Sequence, residues 1–246
     1  MTRECLVRDL GRMSYRDTLE IQHRIASERK EGLGVDCLLF VEHPHVITIG
    51  RNGHEENLLA SPETLRRAGI ELHETDRGGD VTYHGPGQIV AYPIMDLREW
   101  KRDIGAFVRG IEQVLIDALG DFGIAAKRIA GLTGVWVGEA GYEKKIAAIG
   151  VHLSRWVSTH GWALNVSTDL GYFRHIVPCG LTKPVTSMAA LGVPADAEEV
   201  KNALVRRFGQ VFEFEMLRRT DDRRRDAPDG REHRRRNFDE MAQKAG

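Results

Sequence analysis

The sequence predicts an α+β domain, and three observations carry that prediction. Two stretches, 103–120 and 196–212, repeat apolar residues at helical spacing. Strand-like stretches follow one another in runs, with helices at both ends and one in the middle, rather than alternating regularly with helices. Neither G-x-G-x-x-G nor G-x-x-x-x-G-K-[ST] occurs to argue for a doubly wound dinucleotide fold or a P-loop.

Taken in order, residues 13–30 read as a helix with Met13, Leu19, Ile25 and Ala26 on one side. VDCLLFVE (35–42) and HVITIG (45–50) read as strands around a His-Pro break. In 103–120, Ile104, Phe107, Val108, Ile111, Leu115, Ala118 and Leu119 share one helical face, and Gly120 ends it. DVTYH, GQIVAYPIMDL, TGVWVG, KKIAAIGVHLSRW and STHGWALNVS are strands joined by short turns. The last helix, 196–212, turns Val200, Leu204, Phe208 and Val211 inward.

A chain of 246 residues, 41% hydrophobic, is long enough for one large core. With 35 Lys and Arg against 36 Asp and Glu, no global charge favours nucleic acid or a membrane surface. The three cysteines at 5, 37 and 179 are odd in number and far apart. They form neither a disulfide framework nor a Cys-x-x-Cys metal pair, as expected of reduced thiols in a cytoplasm. MTRECLVRDLGRMSYR lacks the apolar centre of a signal peptide, and no run approaches the ~18 apolar residues of a membrane helix. Residues 218–246 hold ten Lys and Arg against seven Asp and Glu with little apolar content. The expected division is therefore a folded domain over 1–217 and a charged, disordered tail over 218–246.

Four stretches carry chemistry. RGGDVTYHGPGQ (77–88) has four glycines and a proline in twelve residues. Each glycine loses extra conformational entropy on folding, which makes sense where backbone must approach a ligand closely. In KKIAAIGVH (144–152), strand alternation sends Lys144 and Lys145 to opposite faces; one meets solvent and the other shares a face with small and apolar residues. If Lys145 is the inner one, beside Ala147 and Ile149, desolvation lowers its pKa towards the range of acid–base work. The spacing alone does not choose. In THGWALNV (159–166), Gly161 permits another close approach and Asn165 is placed to orient a neighbouring loop. In HIVPCGLT (175–182), Cys179 sits between proline and glycine, where a thiol is held still yet reachable. Free cysteine has a pKa of about 8.5, so nucleophilicity there requires a cation or base nearby, such as Lys145, His84, His152 or His160. Among ten histidines, His43-Pro-His45 is the tightest pair; with no third ligand in sequence, no metal is expected.

Together and in this order, RGGDVTYHGPGQ, KIAAIG, HGWALNV and IVPCGL resemble the lipoyl(octanoyl) transferase family of lipoate biosynthesis, over roughly residues 5 to 212. The resemblance implies a mixed β-sheet with flanking helices, similar to the catalytic domain of biotin and lipoate protein ligases. The family's nucleophilic cysteine falls on Cys179 and its lysine on Lys145, which chooses between the two lysines. Its substrate-binding segments fall on Arg77, Gly78, Gly79, Asp80, Val81, Thr82, Tyr83 and His84, on Ala148, Ile149 and Gly150, and on Gly161, Trp162 and Ala163. It implies no cofactor and no metal. The tail has no counterpart in it.

The implied reaction takes octanoyl from octanoyl-acyl carrier protein onto Cys179 as a thioester. It then passes to the ε-amine of a lysine on lipoyl domains of 2-oxoacid dehydrogenases or the glycine cleavage H protein. That amine has a reference pKa of about 10.4 and must lose a proton, for which Lys145 is the expected base. No nucleic acid or membrane partner is implied. Carrier proteins of this kind are acidic, so Arg155, Arg174 and Lys183 are expected to form a basic docking patch. The rivals are an ATP-dependent lipoate or biotin ligase of the same fold, which needs no cysteine, and a non-catalytic carrier-binding module, which needs neither Cys179 nor Lys145.

Overall fold

A computed structural model describes residues 3–177 and 183–218. Its elements run β1 (Arg3–Arg12), α1 (Tyr15–Lys30), β2 (Asp36–Glu42), β3 (Val46–Ile49), α2 (Pro62–Arg67), β4 (Glu71–Glu74), β5 (Val81–His84) and β6 (Gln88–Ile94). They continue with α3 (Ile104–Gly120), β7 (Ala126–Ile129), β8 (Leu132–Val137), β9 (Lys144–Ser154), β10 (Val157–Asn165), α4 (Ala197–Phe212) and β11 (Phe214–Arg218). Eight strands form one sheet in the order β11-β1-β2-β6-β10-β9-β8-β7. β1 runs parallel to both β11 and β2, and the other pairings are antiparallel, so the sheet is mixed. A second sheet, β4-β3-β5, carries the start of the glycine-rich stretch.

Strand alternation divides the large sheet into two apolar faces. Leu38 and Phe40 of β2 and Trp162 and Leu164 of β10 join a core with α3 and α4. Cys37, Leu39 and Val41, with Val90, Tyr92 and Ala163, face α1 instead. Phe107, Phe208 and Phe212 are wholly buried, each stabilising the fold by about 1.5–3 kcal/mol. A Cβ at Gly110 would stand 2.7 Å from the Phe212 ring, so glycine there lets α3 and α4 approach.

Side-chain caps start the helices: Ser14 accepts from the Asp17 N–H, Asp103 from Ala106, and Asp196 from Glu198 and Glu199. The buried stripe of α1 is Tyr15, Thr18, Ile21, Gln22, Ile25, Ala26 and Arg29. Met13 precedes that helix, and Leu19 lies on its half-buried flank. In α4, Phe212 is buried while Val211 is only partly so, because four residues from Phe208 returns to the inner face and three falls to its edge. Ile104, expected on the inner face of α3, is 51% exposed in its first turn.

The small sheet has its own core of Ile47, Val81 and Tyr83 with Leu65, Ile70, Phe173 and Ile176. Its other face presents Thr82 and His84 towards the large sheet. Arg218, where the tail was expected to begin, closes β11, and residues 219–246 lie outside the described residues. Among the described residues, no helix is long and apolar enough to cross a membrane.

Candidate active site

The gap between the two sheets is a cleft of about 460 Å³, part of it open to solvent. Its floor is set by register. Asn165 stands opposite Gln88; Ala163 stands between Val90 and Ala148; Gly161 stands opposite Gly150. Successive rows on one face of a sheet are about 7 Å apart. Alanines and glycines at these rows leave a trough along β9 and β10. Thr82 and His84 of β5 form the facing wall, and Val90, Tyr92 and Tyr15 close the deep side. Nothing larger fits at two of these rows. A Cβ at Gly161 would meet the Ala91 oxygen at 2.1 Å, and one at Gly150 the Gly78 oxygen at 2.7 Å.

A smaller cavity shares Thr82, Ala148 and Ala163 with the first and adds Gln88, Lys145, Asn165, Phe173 and Val185. The trough therefore continues to Lys145. That lysine is 6% exposed, whereas Lys144 faces solvent. The expected companions of Lys145 on its face were Ala147 and Ile149. The structure differs, because Val135 pairs with Ala147 while Trp136 pairs with Lys145, so β9 carries the extra residue Ile146 as a bulge. Ile146 and Ala147 both enter the core under α3 and α4, and Lys145 moves to the trough side with Ala148. Its ammonium lies 4.8 Å from the ring centroid of Trp136. Gly134, at φ +122°, makes room: a Cβ there would stand 3.4 Å from Lys145 Cε.

Cys179 lies outside the described residues, but both flanks of its segment are fastened to the site. The Val177 N–H donates to the Asn57 oxygen at 2.8 Å, and the Asn57 side chain donates to Asp80 at 2.5 Å. On the other side, the Lys145 N–H donates to the Pro184 oxygen and the Thr186 N–H returns to the Lys145 oxygen, both at 2.9 Å. Asn165, read from sequence as a loop-orienting residue, donates through Nδ2 to the Thr186 oxygen at 3.0 Å. Lys183 reaches Glu143 at 2.7 Å and, as the main cause, holds that carboxyl down at about 2.

The polar wall is neutral. Burial, reinforced by His43, pushes the His84 pKa down to about 3. Gln88 donates through Nε2 to the Tyr83 oxygen and to Asn165 Oδ1, so its Oε1 accepts from His84 Nδ1 at 2.8 Å. His84 Nε2 is thereby left as an acceptor. Arg77, 7% exposed, folds the loop around itself: it donates to the Thr48 hydroxyl and oxygen, the Gly78 oxygen and the Asp80 oxygen.

Of the residues expected to bind substrate, Arg77, Gly79, Asp80, Thr82, His84, Ala148, Ile149, Gly150, Gly161, Trp162 and Ala163 line the main cavity. Gly78 stands just behind it, its N–H donating to the Val151 oxygen at 2.9 Å. Val81 and Tyr83 alternate to the opposite face of β5 and build the small sheet's core. Three lining residues were not anticipated, Tyr15, Val90 and Tyr92, and a fourth, His160, was expected only as a candidate base near Cys179. Period-2 alternation from Gln88 reaches Val90 and Tyr92, a signal present in the sequence; Tyr15 gives none. His43 and His45 diverge, His43 to the Met13 oxygen and Tyr92 hydroxyl and His45 to the Tyr83 hydroxyl. Arg155 is not grouped with Lys183, since it pairs with Glu31 beyond the far end of β9 from Lys145.

Residues 14–209, which hold every part of this site, match the lipoyl protein ligase A/B catalytic domain. The chain is 66% identical over 215 residues to an octanoyltransferase of Solibacter usitatus, covering 87% of this chain and 96% of that one. The chain belongs to the lipoyl(octanoyl) transferase family. It is an acyltransferase. Another octanoyltransferase, of Koribacter versatilis, is 52% identical over 216 residues, 86% of this chain and 85% of that protein. The family's fold extends to more distant proteins. A bipartite lipoate protein ligase from Thermoplasma acidophilum superposes with TM-score 0.69 at 20% identity, over 96% of this chain and 92% of that one. The mixed sheet with flanking helices is thus the ligase catalytic-domain fold.

Proposed function

We propose that this protein moves an octanoyl group from octanoyl-acyl carrier protein to a lysine on a lipoyl domain, through a thioester on Cys179. The observation that carries the reading is the mostly apolar trough ending at a buried lysine, with the chain beside Cys179 paired to that lysine's backbone. The relatives' name supports octanoyl as the group transferred.

In the first half, the Cys179 thiolate attacks the carrier's thioester carbonyl. A new C–S bond forms to Cys179, the old one breaks, and the phosphopantetheine sulfur leaves as thiolate and takes a proton from the Lys145 ammonium, which becomes an amine. One thioester replaces another, so no ATP is required. In the second half, the acceptor lysine's ammonium gives one proton to the Lys145 amine and attacks the Cys179 thioester; as the C–S bond breaks, the nitrogen releases its second proton to solvent, leaving an amide and the Cys179 thiolate. Amide from thioester is downhill, so this half sets the direction. The trough holds the C8 chain with His84 along its side, and the neutral amides of Gln88 and Asn165 keep the carbonyl end ordered. The acceptors in this reading are the lipoyl domains of 2-oxoacid dehydrogenases and the H protein of glycine cleavage.

The test is transfer without ATP. Purified protein, octanoyl-acyl carrier protein and an isolated lipoyl domain should yield octanoylated acceptor by mass, and a Cys179→Ala protein should yield none. Transfer that persists undiminished in Cys179→Ala would overturn the covalent route.

A further inference from the structure

The trough has a length, and large side chains set its far end. From Asn165 beside Lys145, small residues continue along β10 to Gly161, four residues or about 13 Å. At that row the floor of alanines and glycines stops. Tyr92, two residues on from Val90 in β6, flanks it, and Tyr15 reaches His160 beside it; each is 3% exposed with its ring in the lining.

Both rings are fixed from behind. Tyr92 donates its hydroxyl to His43 Nε2 at 2.7 Å, and His43, wholly buried, donates through Nδ1 to the Met13 oxygen at 2.9 Å. The Tyr15 hydroxyl lies 3.4 Å from His160 Nδ1, and His160 Nε2 donates to Asp76 Oδ1 at 2.7 Å. His160 adopts φ +58° in the middle of β10, a conformation L side chains rarely take. Strand alternation would send it to the α3/α4 face with Trp162; the left-handed backbone holds it on the trough side instead. Its own N–H is taken by Gln22 of α1 at 2.8 Å. Such a residue persists where its surroundings over-determine it, and here they brace one ring.

We propose that Tyr15 and Tyr92 are the stop that sets acyl chain length. The inference rests on the cavity being the acyl site, as proposed above. A saturated chain that reaches the rings has no soft wall to displace, because moving either ring breaks a buried hydrogen bond. Chain length is then discriminated at the methyl end, away from Lys145.

The test is a series of saturated acyl-carrier thioesters from four to fourteen carbons in the transfer assay. Calorimetric titration with the matching free fatty acids reports on the cavity without using Cys179. For the unaltered protein, kcat/KM should fall by roughly tenfold or more for each methylene that passes the stop. Tyr92→Leu and Tyr15→Leu should each move that cutoff to longer chains by two or more carbons. Ala163→Leu, which fills the middle of the trough, should move it to shorter ones. Thermal melts identify which variants are folded; a folded tyrosine variant decides the stop, and a folded Ala163→Leu tests the trough. Folded tyrosine variants that both keep the original cutoff overturn the stop alone. An unaltered protein that neither transfers nor binds any member of the series overturns the acyl site itself.

Discussion

Gln88 Nε2 donates to Asn165 Oδ1 at 2.9 Å, and this contact ties the glycine-rich loop to the segment running past Lys145. On one side Gln88 holds His84; on the other Asn165 holds the Thr186 oxygen, whose own residue bonds back to Lys145. Both amides are almost wholly buried.

Removing Asn165 therefore strands two partners. Asn165→Ala should lower unfolding free energy by about 1–3 kcal/mol in urea titrations, the penalty for buried polar groups left without partners. It should also lower transfer more than that loss of folded protein accounts for, because the strap at 184–186 loses one of its fastenings. A variant of unchanged stability would contradict the network.

Lys145 is assigned a proton-transfer role, and arginine tests it. Lys145→Arg keeps a long cation near Trp136 but cannot give up its proton under these conditions. Both Lys145→Arg and Lys145→Met should lose about 10²–10⁴-fold in kcat for transfer to the lipoyl domain. Arginine activity near that of the unaltered protein would reduce Lys145 to a source of charge.

Gly161→Ala should separate β10 from β6, since the new methyl would meet the Ala91 oxygen at 2.1 Å and Pro93 Cδ at 2.6 Å. Backbone on one side and a rigid proline ring on the other leave the methyl nowhere to go. The expected loss is about 1–3 kcal/mol of stability by denaturant titration, the usual range for overpacking. A Tm equal to that of the unaltered protein would show that the strands relax freely.

Acid should unfold the protein through its histidines. Burial pushes His43 to about 4, His84 to about 3 and His160 to about 4, all below the unfolded value of about 6.5. Between those limits the unfolded chain binds more protons, so stability falls as pH falls. Asp76, held low chiefly by its hydrogen bond and charge contact with His160 against burial, acts in the same direction. Asp36 opposes: burial raises it to about 6 despite Arg29, so the folded state binds a proton there first. His152 and His175, also lowered chiefly by burial, add to the three histidines, so the histidines outweigh Asp36 and unfolding free energy should fall as pH drops from 7 towards 5. Urea midpoints flat from pH 7 to 5 would refute it.

The sequence made the apolar architecture readable and left the fine geometry hidden. Helical spacing located α3 and α4 because their cores alternate cleanly with polar residues. β1 and β11, rich in charge, read as nothing in particular; their strand character comes from main-chain pairing with neighbours on the large sheet. Period-2 reasoning found the right strand for Lys145 but gave it the wrong neighbours, because a bulge at Ile146 depends on the partner strand β8 and leaves no local mark. The same limit applies to His160. Its left-handed backbone is held by Tyr15 and Gln22 of α1 and by Asp76, two parts of the chain distant from β10.

The central claim is a covalent acyl group on Cys179, and intact mass reads it directly. Incubated with octanoyl-acyl carrier protein and no ATP, the protein should gain one octanoyl group. Neutral hydroxylamine should remove it, and Cys179→Ala should never acquire it. An unchanged mass, with lipoyl-domain octanoylation appearing only when ATP and free octanoate are supplied, would contradict the account and make the chemistry that of a ligase.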